Sequence, residues 1–127
     1  YFELIVFCFI TGNADMHLKN FSLLESKEGH FSLSLAYDLV STLLVIKKED
    51  EQLSLSVNGK RNRLSKKDFA ALAKSLQLHD KQIENCYQSF LKKSDKANAW
   101  IDNSFLPDDQ KEKLQEVIFK RIKLLAS

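Results

Sequence analysis

The chain has 127 residues, which is the length of one domain, and it carries a formal net charge of +2 with a pI near 8.5. So small a positive charge gives no reason to expect direct binding to nucleic acid. A hydrophobic content of 44% and a charged content of 28% exclude a disordered chain and predict a folded globular one.

Residues 1–11 are nearly all apolar, with Glu3 as the one charge. A membrane span needs about 20 such residues, and the segment lacks the basic start and cleavage site of a signal peptide, so we expect a cytoplasmic protein without membrane contact. A buried helix is predicted, with a strand as the alternative, ending at Gly12. Because the chain starts without Met inside this buried element, we expect a piece of a longer protein. Cys8 and Cys86 are predicted to be reduced thiols.

A hairpin is predicted next. Residues 20–24 and 31–35 pair around a turn-forming connector, and the second segment alternates apolar and polar residues as a half-buried strand does. The apolar residues 39–46 are expected to be helical or irregular, and residues 47–51 to form an exposed charged loop. A second hairpin is predicted over residues 52–64, since Asn58-Gly59 is a strong hairpin turn.

From Ser65 onward the apolar residues recur with the period of a helix, and Ser65 with Asp68 resembles a capping box. Asp80 is predicted to cap a second helix, residues 97–101 to form a short one around Trp100, and Pro107 to start the last. The predicted core stripes are Phe69, Leu72, Ala73 and Leu76; Ile83, Tyr87, Phe90 and Leu91; and Leu114, Val117, Ile118, Ile122 and Leu125. The fold class is therefore α+β and mostly α.

Three polar residues adjoin the first hairpin. Asn20 begins its first strand and Asp38 follows its second, so antiparallel pairing brings them to the same open end, close enough to share a metal ion. Mg²⁺ prefers oxygen ligands of this kind. Phosphoryl transfer also requires a carboxylate that orients the attacking hydroxyl and accepts its proton, and Asp15 is the candidate. These three residue types are those of a kinase catalytic lobe.

Two motifs carry a more specific resemblance. The sequence Asp-x-His-x-Lys-Asn at residues 15–20, after Gly-Asn and before Phe-Ser-Leu, and Tyr-Asp-Leu-Val-Ser at residues 37–41 resemble the C-terminal lobe of the HipA-like serine/threonine kinases, the toxins of bacterial toxin–antitoxin modules. Leu-Ser-Leu-Ser-Val-Asn-Gly-Lys at residues 53–60 is similar to that family as well. The resemblance covers roughly residues 1–80. It implies that residues 1–127 are a kinase-like C-terminal lobe, with short β hairpins at its catalytic site and without the N-terminal lobe that covers ATP.

By this resemblance Asp15 is the catalytic aspartate, and Asn20 and Asp38 bind Mg²⁺. The residues implied to bind ATP are His17, Leu18, Lys19, Asn20, Tyr37 and Asp38. The implied reaction is transfer of the γ-phosphate to a Ser or Thr hydroxyl of a protein such as an aminoacyl-tRNA synthetase, with a DNA-binding antitoxin as partner. The chain has no glycine-rich phosphate loop, so alone it is expected to bind Mg-ATP weakly, without meaningful turnover.

Two other functions fit the same residues. Small-molecule kinases of the aminoglycoside and choline phosphotransferase type share the Asp-x-His-x-x-Asn spacing, although Lys19 directly before Asn20 favours the HipA-like reading. A non-catalytic module, whose helical half binds an antitoxin, is the second alternative. The basic residues between 60 and 67 are expected to be a solvated face. The aromatic residues are expected in the core, and an exposed Trp100 would instead indicate contact with a partner.

Overall fold

The computed structural model describes residues 1–46 and 51–127. The elements found in these ranges are the helices α1 (Phe2–Thr11), α2 (Lys66–Ser75), α3 (Asp80–Lys92), α4 (Ser94–Asp102) and α5 (Asp108–Ala126), and the strands β1 (Leu23–Glu25) and β2 (Phe31–Leu33). Single 3₁₀ turns at Leu18–Asn20 and Thr42–Leu44 flank the hairpin. The predicted class, α+β and mostly α, is confirmed. In the described ranges no helix is both long and apolar enough to cross a membrane.

Helix α1 lies at the centre of the core, since it is apolar on most of its sides. It packs against α5 and α2, and the ring of Phe9 lies 4.9 Å from that of Phe69 in α2. Arg121 of α5 donates a hydrogen bond to the Phe9 carbonyl and lies over the Phe9 ring. The prediction of a buried helix is confirmed, and the strand alternative is wrong. The helix ends at Gly12, whose left-handed backbone turns the chain into the next loop.

The first hairpin pairs as predicted but is shorter and more exposed. Leu23 lies opposite Leu33 and Glu25 opposite Phe31 in an antiparallel register, while Asn20 belongs to a 3₁₀ turn and not to the strand. All residues of both strands are exposed, so the prediction of a half-buried second strand is wrong. Alternation shows which side chains share a face of a strand; it does not show whether another element covers that face.

The second predicted hairpin is reduced to its turn. Asn58 and Gly59 both have positive φ, as the turn requires, and Val57 and Lys60 form an isolated bridge. The strands predicted around this turn are wrong, because burial of Leu53 and Val57 in the core holds the segment instead of a ladder. Of the loop predicted over residues 47–51, residues 47–50 lie outside the described residues and Glu51 is exposed.

The helical half follows the predicted stripes with local corrections. Ser65 and Asp68 form the capping box, but His79 caps α3 in place of Asp80, because the His79 carbonyl accepts the first hydrogen bonds of the helix. Pro107 takes the cap position of α5. The centres of the stripes are buried, whereas Leu76 and Leu91 lie at exposed edges. Phe69 and Tyr87 are core residues as expected, but Trp100 is 68% exposed, so core packing was the wrong expectation for it.

Candidate active site

The loop that follows α1 is held at its backbone by hydroxyl groups from distant segments. The Thr42 hydroxyl donates to the Gly12 carbonyl at 3.2 Å and accepts from the Ala14 amide at 3.0 Å. The Ser54 hydroxyl donates to the Ala14 carbonyl at 2.5 Å. The backbone on both sides of Ala14 is therefore fixed immediately before Asp15.

Two buried side chains of this loop, Asn13 and Met16, lie on either side of the exposed Asp15 in the chain. Asn13 and Met16 are each only 1% exposed, and the Asn13 amide oxygen accepts a hydrogen bond from the Asp15 amide at 3.2 Å. The Asn13 amide nitrogen lies 3.9 Å from the Cys8 sulfur, and burial raises the pKa of that thiol to about 12, so it stays protonated. Asp15 itself is exposed, and its carboxylate has no partner among the described residues. It is free to meet a ligand.

Asn20 and Asp38 meet at the open end of the hairpin, where antiparallel pairing predicted them. The Asn20 amide nitrogen donates to Asp38 Oδ2 at 2.6 Å, and Asn20 Oδ1 accepts from the His17 amide at 3.2 Å. Asn20 is buried, which fixes its position. Asp38 has φ 54°, a left-handed conformation that is uncommon outside glycine and concentrated at functional sites. The structure thus brings the two predicted metal ligands together, while their role stays a prediction.

The fit of this pair to a magnesium ion depends on which oxygen atoms the two side chains can offer. Mg²⁺ usually takes one or two protein oxygens and completes its shell with phosphate and water. Asp38 Oδ1 accepts no hydrogen bond from the described residues and is available, whereas Asn20 presents its nitrogen to Asp38 and would have to rotate to offer its oxygen. In the described ranges no cluster of three or more His, Cys, Asp or Glu side chains could hold a metal by itself. An Mg²⁺ ion bound by this pair would take its remaining oxygen ligands from phosphate and water.

The remaining predicted site residues are Tyr37, which precedes Asp38, and the residues of the turn that ends at Asn20. Tyr37 has a structural part, because its hydroxyl donates to the Lys19 carbonyl at 3.1 Å and lies 2.7 Å from the Ser22 hydroxyl, joining the two ends of the hairpin. Leu18 and Lys19 are exposed and His17 is half-buried at the start of the 3₁₀ turn. In the described part of the chain, no hydrogen bond or ion pair joins the Asp15 side chain to Asn20 or Asp38. Contact of these residues with a nucleotide stays a prediction.

Sequence reasoning missed the residues that position the loop. Thr42 and Ser54 act on a backbone that lies 28 and 40 residues away, and Lys113 of α5 donates to the Leu43 carbonyl at 2.7 Å. No periodic pattern links such distant positions. The one available signal was Thr42 itself, because it places a hydroxyl group within the apolar residues 39–46. Thr42 is 6% exposed in the structure.

A match to a family model shows the family of this chain. The family model described as the HipA-like C-terminal domain matches residues 1–98. The chain belongs to this family. The HipA-like resemblance seen in the sequence is therefore confirmed, while the prediction that all of residues 1–127 form one lobe lacking its N-terminal partner stays a prediction.

Two relatives of this HipA-like domain are named as kinases. The protein "Putative kinase Y4dM" of Sinorhizobium fredii is 42% identical over 80 residues, covering 62% of this chain and 20% of that protein. A "Putative kinase" of Haemophilus influenzae is 24% identical over a 140-residue alignment, covering 98% of this chain and 41% of that protein. The HipA-like domain thus spans well under half the length of either relative.

A solved structure shares the fold of this HipA-like domain. It is the Shewanella oneidensis toxin–antitoxin complex of HipA, HipB and its operator DNA. A chain of that complex matches with a TM-score of 0.76 and 22% sequence identity, over 96% of this chain and 30% of its own length. At 96% coverage, the shared fold extends beyond residue 98 and into α5.

Proposed function

We propose that the protein carrying this HipA-like domain is a serine/threonine kinase that transfers the γ-phosphate of ATP, with Mg²⁺, to a hydroxyl group of a protein. The observation that supports this proposal is the contact between Asn20 and Asp38, with Asp38 in a left-handed conformation, beside the loop that carries Asp15. An amide and a carboxylate at one place, with a second carboxylate on a rigid neighbouring loop, are the parts that phosphoryl transfer uses.

In this proposal the three polar side chains have separate roles. Asp15 orients the attacking hydroxyl and accepts its proton; its exposed and unpartnered carboxylate suits that role. Asn20 and Asp38 hold Mg²⁺, which when bound supplies positive charge to the phosphate oxygens. The hydroxyls of Thr42 and Ser54 keep the loop in one conformation, so that Asp15 needs no large rearrangement to reach a substrate.

The nucleotide contacts are proposed to come from the turn between Asp15 and Asn20. Lys19 is exposed and bears a positive charge that suits phosphate oxygens, and His17 and Leu18 lie beside it. Tyr37 supports this turn through its hydrogen bond to the Lys19 carbonyl. In this proposal the two carboxylates and this turn form one side of a nucleotide cleft. The remaining length of the protein, by comparison with its longer relatives, is proposed to supply the other side.

The biological setting is proposed from the family. We expect the protein to be a toxin of a toxin–antitoxin module in the cytoplasm, with a DNA-binding antitoxin as partner, because the solved structural neighbour contains HipB and operator DNA. The domain itself, with a net charge of +2, is not expected to bind DNA directly. The protein substrate is proposed to be of the aminoacyl-tRNA synthetase type.

The test follows transfer of the γ-phosphate by the full-length protein in Mg²⁺, onto itself and onto proteins of a cell lysate. Wild type is compared with Asp15→Asn and with Asp109→Asn, which changes an exposed carboxylate in the first turn of α5. Labelling of protein by wild type and Asp109→Asn, with loss in Asp15→Asn, is the expected result.

Each other outcome changes the proposal in a specific way. ATP turnover without labelled protein would indicate a small-molecule phosphotransferase. Labelling that survives in Asp15→Asn would remove Asp15 from the role of base. Absence of turnover in wild type would leave a non-catalytic module that binds an antitoxin.

A further inference from the structure

An apolar groove of about 710 Å³ lies between α1, the end of the first hairpin, the α3–α4 junction and α5. None of the residues proposed for the active site lines it. Its lining is dominated by large apolar side chains contributed by the three helical walls: Leu4, Phe7, Ile10, Phe90, Ile118 and Ile122. The volume lies in the range of ligand-binding pockets, and several apolar side chains could enter it.

The rim of the groove is apolar as well, which is unusual for a surface that faces only water. Trp100 is 68% exposed and Leu35 is 89% exposed, and both line the groove. The ammonium group of Lys96 lies 5.0 Å from the centre of the Trp100 ring. Exposed aromatic side chains beside an apolar cleft are typical anchors of protein interfaces.

The charges around the groove are unevenly placed. Lys93 and Lys96 line the side formed by the α3–α4 junction, and within the described part of the chain no carboxylate forms an ion pair with either. Glu3 is the acidic residue of the lining and belongs to α1. An occupant with acidic groups along one edge would complement the two lysines.

We propose that this groove binds an amphipathic helix of a partner protein, with apolar residues on the face that enters the groove and acidic residues along the edge that meets Lys93 and Lys96. The groove walls are themselves helices, so a helical occupant can pack against them as helices do in the core. Binding of an apolar helix face in an open groove is a common mode of peptide recognition. The groove lining contains none of the residues proposed for phosphoryl transfer, but it adjoins that site, because its residues Ala36 and Leu39 flank Tyr37 and Asp38 in the chain.

The test uses the full-length protein with Trp100 as the reporter, and the emission of a Trp100→Phe variant is subtracted so that the difference comes from this side chain alone. The probe is a designed 18-residue helical peptide without tryptophan, with Leu at i, i+3, i+4 and i+7 and Glu along one edge, roughly five turns long. A second peptide carries Lys at the Glu positions. The expected result is a blue shift of Trp100 emission that saturates with the acidic peptide, and at least a tenfold weaker response to the basic one.

Two double variants distinguish an effect of the charges at the groove from an effect of the net charge of the protein on peptide binding. Lys93→Glu with Lys96→Glu should reverse the preference between the peptides, whereas Lys67→Glu with Lys74→Glu, at exposed positions of α2 outside the groove lining, should leave it unchanged. Far-UV circular dichroism checks that both variants are folded. Equal binding of the two peptides, or a preference that survives the Lys93 and Lys96 changes, would overturn the proposal.

Two further results would assign the groove to another occupant. A blue shift that grows with protein concentration in the absence of peptide would indicate a second copy of the chain. Trp100 that is already shielded from a soluble quencher in the full-length protein would indicate that the rest of that protein covers the groove. Either result would overturn the proposal of a partner helix.

Discussion

Replacement of Gly12 by alanine tests whether the loop before Asp15 is as tightly held as the structure indicates. Gly12 has φ 74°, and a Cβ built there would lie 3.0 Å from Leu43 Cβ and 3.3 Å from the Ser41 hydroxyl. The Leu43 amide also donates to the Gly12 carbonyl. A methyl group would therefore press on the segment that carries the hydrogen bonds of the loop.

The expected loss has two parts that a second variant separates. A left-handed conformation costs an alanine roughly 1–2 kcal/mol, partly offset by about 0.4–1 kcal/mol from the lower entropy of the unfolded chain. Gly29, with φ 78° and nothing within 4 Å of a built Cβ, should show this part alone, about 1 kcal/mol. Crowding of a packed segment adds about 1–3 kcal/mol, so Gly12→Ala should lose about 2–4 kcal/mol.

Urea unfolding of wild type, Gly12→Ala and Gly29→Ala measures both values from the shift of the midpoints, provided that the three slopes agree. A difference of at least about 1 kcal/mol between the variants is expected from the crowding contribution. Equal losses would show that Leu43 moves away without cost. In that case the inference that packing fixes this loop, and through it Asp15, would be wrong.

Three other predictions concern the loop, the capping box and the nucleotide. Thr42→Val, which removes a buried hydroxyl with two backbone partners, should lower the free energy of unfolding by about 1–3 kcal/mol in urea, and an unchanged midpoint would contradict it. Asp68→Ala should cost about 2–4 kcal/mol at pH 7. Hydrogen bonds from Asn58, Lys60 and Ser65 hold the pKa of Asp68 well below its usual range, so as the pH falls the unfolded chain takes up a proton at Asp68 before the folded chain does. The stability difference between wild type and Asp68→Ala should therefore shrink below about pH 4. An equal difference at pH 3 would contradict this prediction. Calorimetry of the isolated chain should show only weak Mg-ATP binding. A micromolar affinity would refute the proposal that this chain forms only one side of the nucleotide cleft.

Local patterns predicted the helices and the pairing of the hairpin. The apolar run of α1 and the capping box of Ser65 and Asp68 are contained within a few consecutive residues, so the sequence alone was sufficient. The exposure of individual side chains could be determined only from the tertiary structure. The pattern of β2 is that of a half-buried strand, yet its residues are exposed, and Trp100 lies outside the core. Whether an apolar face is covered depends on elements far away in the sequence.

The same division applies to the site. Asn20 and Asp38 could be placed together because one short hairpin joins them, and a hairpin has a predictable open end. The hydroxyls of Thr42 and Ser54 could not be assigned to the Ala14 backbone, since no repeating geometry connects positions 28 and 40 residues apart. Sequence thus indicated the residues proposed to act on a substrate and missed the residues that hold them in position.

Helix α5 shows why these positioning contacts matter for the limits of the domain. The family model ends at residue 98, yet Arg121 and Lys113 of α5 bond to the carbonyls of Phe9 and Leu43, on the two segments joined by the Gly12 and Thr42 contacts. Because α5 also buries Ile118 and Ile122 in the core, its removal would expose apolar surface and free both segments. The loop that carries Asp15 therefore depends on residues beyond the part that the family model recognises.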